Sequence, residues 1–129
     1  MVAIAYTGNS VVQAGNTIDV GAYNNAFGVI AAAYFGGYVD VTVGGTATVT
    51  SSNGNGYGVF ASTTGLGDIH VDTGAINASG YLAAFGVHAD ASGTGAVTVD
   101  THGDLTADAY YGNAAGIYAY AAGGAVGAY

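Results

Sequence analysis

Four tetrapeptides of one plan dominate this chain: Gly28-Val29-Ile30-Ala31, Gly58-Val59-Phe60-Ala61, Gly86-Val87-His88-Ala89 and Gly116-Ile117-Tyr118-Ala119. Each reads glycine, a branched aliphatic, a variable bulky residue, then alanine. The glycines stand 30, 28 and 30 residues apart. A fixed period in that range is the mark of a solenoid or an array, in which each repeat buries its apolar side only by stacking on a neighbour.

Alternation around the glycines supplies the element type. Phe27, Tyr57, Phe85 and Ala115 precede them; Val29, Val59, Val87 and Ile117 follow; Ala31, Ala61, Ala89 and Ala119 come two further on. Apolar residues at every second position predict a strand with one buried face, and place all three sets on that face. The interleaved residues vary: Ile30, Phe60, His88 and Tyr118, then Ala32, Ser62, Asp90 and Tyr120. They are expected to point outward, as a stripe of Ile30, Phe60, Tyr118 and Tyr120 able to pack on another molecule.

A second strand recurs about ten residues later at Val39-Asp40-Val41, Ile69-His70-Val71, Val97-Thr98-Val99 and Val126-Gly127-Ala128. A third precedes each glycine, at Ile18-Asp19-Val20, Thr48-Val49-Thr50, Ile76-Asn77-Ala78 and Leu105-Thr106-Ala107. Gly-rich pairs such as Gly36-Gly37, Gly44-Gly45 and Gly123-Gly124 fall between strands, where positive φ is expected.

Three short strands per repeat, with the same residue type at each station, predict an all-β, right-handed parallel β-helix of four to five rungs. At roughly 4.8 Å per rung it is a stub ~20–25 Å long. Val2–Tyr6 and Val11-Val12 read as strands of a preceding rung. Residues 1–129 are thus expected to be a single solenoid domain or a fragment without caps, its open ends suited to head-to-tail stacking into a fibre. A propeller blade needs a longer period, an antiparallel sandwich would not repeat residue types station by station, and a silk-like chain would not keep Val and Ile in register.

Composition narrows the role. The chain has no Lys or Arg and eight acidic residues, all Asp, giving a formal charge of −8. Such a polyanion cannot neutralise phosphates, which excludes nucleic acid as a partner and disfavours anionic membrane surfaces. Divalent cations and neutral glycans are left as partner classes. The charged fraction is 6 %, against an ordinary figure of about 25 %, so membrane insertion needs its own test. The longest apolar run, Ala26 to Val39, falls short of a spanning helix and is broken by Gly28, Gly36 and Gly37. With 51 % hydrophobic residues the chain is not a disordered polymer either. There is no cysteine and no secretory signal pattern after Met1, consistent with a processed chain or an internal piece.

At this point the chain resembles the passenger domains of bacterial autotransporter (type V secreted) adhesins and related haemagglutinin-like β-helices. The likeness rests on Ala114-Ala115-Gly116-Ile117-Tyr118-Ala119 and Ala84-Phe85-Gly86-Val87-His88-Ala89. It is carried too by the leads Gly103-Asp104-Leu105-Thr106-Ala107 and Gly74-Ala75-Ile76-Asn77-Ala78. The resemblance implies an extracellular or bacterial cell-surface solenoid, non-enzymatic, that presents adhesive surface, builds a stalk or self-associates into a fibre. It carries over no site residues.

The alternative is a polysaccharide-binding or polysaccharide-degrading β-helix fragment. Asp40 and His70 fall at equivalent outward stations, as do Asp72 and Asp100, but no cationic side chain accompanies them to stabilise developing charge. The three histidines form no ligand set and are expected at the surface. Gly65-Leu66-Gly67-Asp68-Ile69 has a trace of the calcium-binding nonapeptide repeats, which makes Asp68, Asp72, Asp100 and Asp104 calcium candidates. Asn77-Ala78-Ser79 matches a glycosylation pattern on a strand, and Asn53-Gly54-Asn55-Gly56-Tyr57-Gly58 opens a strand rather than the helix a nucleotide fingerprint needs.

Overall fold

A computed structural model describes residues 1–129. Strand β1 (Val2–Ala5) is followed by four coils of three strands each. The first coil runs β2 (Ser10–Ala14), β3 (Ile18–Ala22) and β4 (Ala26–Ala33); the second β5 (Val39–Val43), β6 (Ala47–Ser51) and β7 (Asn55–Thr63). The third runs β8 (Ile69–Thr73), β9 (Ile76–Gly80) and β10 (Ala83–Ala91). The fourth has β11 (Val97–Thr101), β12 (Leu105–Ala109) and β13 (Ala114–Ala121), and β14 (Val126–Ala128) begins another. There is no helix. Sheet A has the order β1-β4-β7-β10-β13, sheet B β14-β11-β8-β5-β2, and sheet C β12-β9-β6-β3. All pairs are parallel, so the chain is a β-solenoid of three sheets.

The interior is made of columns. Val29, Val59, Val87 and Ile117 are register partners in sheet A, as are Ala31, Ala61, Ala89 and Ala119. Sheet B adds Val39, Ile69, Val97 and Val126 beside Val41, Val71, Val99 and Ala128. Sheet C adds Ile18, Ala47, Ile76 and Leu105. Most of these join one buried cluster, each large aliphatic contributing about 1.5–3 kcal/mol relative to exposure. One station shifts from the sequence reading: Ala47, not Thr48, is the inward partner of Ile76, and Thr48 pairs with outward Asn77.

A larger correction concerns the aromatics before each glycine. Phe27, Tyr57 and Phe85 were expected beside the buried valines, but they face outward. Strand β7 shows why: Gly56 is buried, Tyr57 half-buried, and then Gly58 and Val59 are buried in succession. Two consecutive inward residues reset the alternation, so whatever precedes the glycine lies on the opposite face from what its spacing to Val59 suggests. Strands β4 and β10 repeat the break at Gly28-Val29 and Gly86-Val87.

The inter-strand glycines also differ from expectation in their reason. Only Gly8 and Gly36 have positive φ, at 104° and 97°. At most of the other corners glycine is required by close approach. Gly67 and Gly95 each sit against the carbonyl of the glycine one coil before, Gly37 and Gly67 respectively, where a methyl group would collide with backbone.

Candidate functional site

Outside the core the chemistry-bearing side chains divide by sheet. On sheet A, the break at the glycine brings two aromatic files together. Phe27, Tyr57 and Phe85 stack with centroids 4.8 and 5.3 Å apart and planes within 4° and 12°. Phe60, His88 and Tyr118 form the second file, at 5.0 and 4.7 Å. The files meet edge to face: Tyr57 lies 5.6 Å from Phe60 at 86° and 5.8 Å from His88 at 73°. Ile30 continues the second file below Phe60, and Tyr120 lies outside both, partnered in register with Asp90. Ile30, Phe60, Tyr118 and Tyr120 share the outward side of sheet A, but Phe60 and Tyr118 turn their ring faces toward neighbours in the ladder. Stacked and T-shaped pairs of this kind favour the fold by about 0.5–1.5 kcal/mol each beyond area burial.

His88, expected at the surface, is half-buried within this ladder. Burial pushes its imidazole below the ordinary histidine value, partly opposed by the charge of Asp90. Its Nδ1 and Asp90 Oδ1 are both buried without a hydrogen-bond partner.

Sheet B carries acids and imidazoles. Asp40, on β5, and His70, on β8, are register partners, as the repeat indicates. His70 Nδ1 lies 3.1 Å from Asp40 Oδ1, and its Nε2 lies 3.2 Å from Asp100 Oδ2 on β11. The second contact is diagonal, because the register partner of His70 on β11 is Thr98. Asp40, through a hydrogen bond, raises the His70 pKa most; burial opposes it and Asp100 assists. Asp72 and Asp100 are register partners, and His102 Nε2 lies 3.2 Å from Asp72 Oδ1.

The calcium candidates do not converge. Asp68 Oδ1 accepts the Ala96 N–H at 2.8 Å, Asp72 faces His102, Asp100 faces His70, and Asp104 stands exposed before β12. No three His or Asp side chains are arranged to hold a metal ion together. Two shallow recesses open on the surface. One of about 230 Å³ is lined by Tyr38, Val39, Asp40, Asp68 and His70, and one of about 220 Å³ by Ser51, Ser52, Ser79, Gly80, Tyr81, Asp108 and Tyr110. Both are smaller than the roughly 300–1,000 Å³ of ordinary ligand pockets.

Sequence reasoning missed the diagonal Asp100–His70 contact, the Asp72–His102 contact and a tyrosine cluster at the end of sheet C. There Tyr81 and Tyr110 stack at 5.7 Å and 10°, with Tyr111 edge-on to both. A signal for the cluster was present, since Tyr81 and Tyr110 each follow a register-paired strand end, Gly80 and Ala109. Compared with protein-family models, curated proteins and solved structures, the chain matches none.

Proposed function

We propose that this protein is a non-enzymatic structural and adhesive β-solenoid, a section of an extracellular or bacterial cell-surface rod that grows by stacking coil on coil. The observation that carries this reading is the constancy of the cross-section. Val29, Val59 and Val87 share one station, so each coil is a template for the next. The outermost strands, β1 and β13 in sheet A, β2 and β14 in sheet B, β3 and β12 in sheet C, each keep one edge without a strand partner. Unpaired edges of this kind accept another strand by the same ladder of hydrogen bonds. The next coil can come from more of the same polypeptide, as in an adhesin stalk, or from a second copy, as in a fibre.

The surface chemistry is consistent with a structural role. The aromatic ladder is largely spent on its own stacking, and both ring nitrogens of His70 are engaged by carboxylates of neighbouring coils. A chain with no Lys or Arg also offers trypsin-like proteases no cleavage site, a useful property outside the cell. Glycans or a cell surface are the external partners this reading allows, with no role for nucleic acid or membrane insertion.

Electron microscopy and sedimentation of the purified 129-residue chain at rising concentration test it. Rods that lengthen with concentration are expected; monomers at every concentration would overturn assembly between copies.

A further inference from the structure

Asp40, His70 and Asp100 belong to three successive coils, and one imidazole touches both carboxylates. A carboxylate in its ionised form only accepts hydrogen bonds, and a neutral imidazole carries a single N–H. Two contacts of 3.1 and 3.2 Å can therefore both be hydrogen bonds only when both nitrogens are protonated. Both contacts are satisfied together as hydrogen bonds by an imidazolium, and only one of them by a neutral ring.

The surroundings favour the same form. From its own strand, Asp72 stands two residues along on the same face, and Asp68 lines the same recess as His70 and Asp40. From β11, Asp100 is the register partner of Asp72, so two carboxylates lie side by side at strand spacing, a destabilising arrangement for like charges. His102, just beyond β11, faces Asp72. No Lys or Arg exists anywhere to offset these acids. The only positive charge that a side chain of this face can carry is a proton on His70 or His102.

We propose that His70 is a proton-operated clasp: protonated, it ties the second, third and fourth coils together across sheet B; deprotonated, it releases one carboxylate and leaves the acids of that face to repel. The device is local. The valine columns behind it and the aromatic ladder on sheet A do not depend on it. The inference is independent of the rod reading, since it concerns contacts within one chain.

The direction of the pH effect follows from linkage. Asp40, and secondarily Asp100, hold the folded His70 above its ordinary value of 6.5 against the opposing effect of burial. The stabilisation is therefore complete below 6.5 and is lost as pH rises through the folded value. This is the reverse of what burial does at His88.

Nuclear magnetic resonance of the histidine ring nitrogens in the unmodified chain reads the clasp directly. His70 is expected to carry hydrogen on both nitrogens at about pH 6 and to titrate above the unfolded chain's histidines. Asp40→Asn is expected to lower that midpoint more than Asp100→Asn does. In thermal melts, replacing His70 by Gln (H70Q) is expected to remove part of the stability lost between about pH 6 and pH 8.5. A His70 midpoint at or below the unfolded value, or one unmoved by Asp40→Asn, would overturn the proposal. So would an H70Q melting profile parallel to that of the unmodified chain. The ring-nitrogen measurement needs no variant to fold.

Discussion

The carbonyl oxygen of Gly86 lies 2.5 Å from the position a Cβ on Gly58 would occupy. Gly28 stands in the same relation to the Gly58 carbonyl at 2.6 Å, and Gly86 to that of Gly116 at 2.5 Å. The glycine of the repeat is thus a packing requirement between coils. None of these residues has positive φ, so backbone conformation is not the reason for it.

A graded prediction follows along the column. Gly58→Ala places a methyl group against backbone that the strand ladder holds in place, and is expected to cost about 3 kcal/mol or more, the upper end of overpacking penalties. At Gly116 the nearest atom to an added Cβ is the Leu105 Cβ at 3.7 Å, an ordinary contact. Gly116→Ala is expected to be neutral, or stabilising by up to about 1 kcal/mol through a less flexible unfolded chain. Urea unfolding of the two variants makes the comparison; equal losses would refute the close-approach explanation.

Ile76 is the side chain packed under Gly58, wholly buried between sheets A and C. Ile76→Ala is expected to destabilise by about 2–5 kcal/mol, and Ile76→Val by about 0.5–1.5 kcal/mol. Combining Ile76→Ala with Gly58→Ala removes one of the two collisions of the new methyl group and leaves the Gly86 carbonyl. The double variant should therefore lose less than the sum of the single ones, without recovering the stability of Ile76→Ala alone.

On the outer face, Tyr57 is the hub of the aromatic ladder, with Phe27 and Phe85 on its faces and Phe60 and His88 at its sides. Tyr57→Ala is expected to cost roughly 2–4 kcal/mol, several ring contacts at about 0.5–1.5 kcal/mol each. Tyr57→Phe keeps the ring and loses only a 3.3 Å hydrogen bond from the Asn55 amide, so about 1 kcal/mol or less is expected. Tyr120→Ala should fall within about 0.5 kcal/mol of the unmodified chain. A Tyr120→Ala loss matching that of Tyr57→Ala would refute the stacking account of this face.

These cases also mark how far the sequence was legible. Val29, Val59, Val87 and Ile117 announced their column because an inward station in a solenoid admits few residue types and its period carries through the whole chain. Asp40 and His70 were legible as neighbours for the same reason. Phe27, Tyr57 and Phe85 were legible as a column too, but not on the right face, because period-2 reasoning assumes an unbroken strand, and the glycine inserts an extra inward residue. Asp100 reaches His70 diagonally, a consequence of side-chain length rather than of register. The corner glycines looked like positive-φ positions because close backbone approach between coils leaves the same residue type in the sequence as a left-handed turn does.

His88 provides the last prediction, and it runs against His70. The ring sits between Phe60 and Tyr118, and its folded pKa is held down by desolvation, with Asp90 opposing. A group depressed on folding contributes stability that is present above its unfolded value of 6.5 and lost as pH falls through the folded value. Acid should therefore weaken the ladder at His88 while strengthening the clasp at His70. His88→Phe restores the residue type of Phe60 at the same station and removes the titration. It is expected to flatten the acid limb of a melting-temperature profile between about pH 6.5 and pH 4.5, leaving the alkaline limb unchanged. It should also remove the unpartnered Nδ1 from the face, which adds to stability at neutral pH. If the His88→Phe chain lost stability on acidification as steeply as the unmodified one, the acid limb would not belong to this ring.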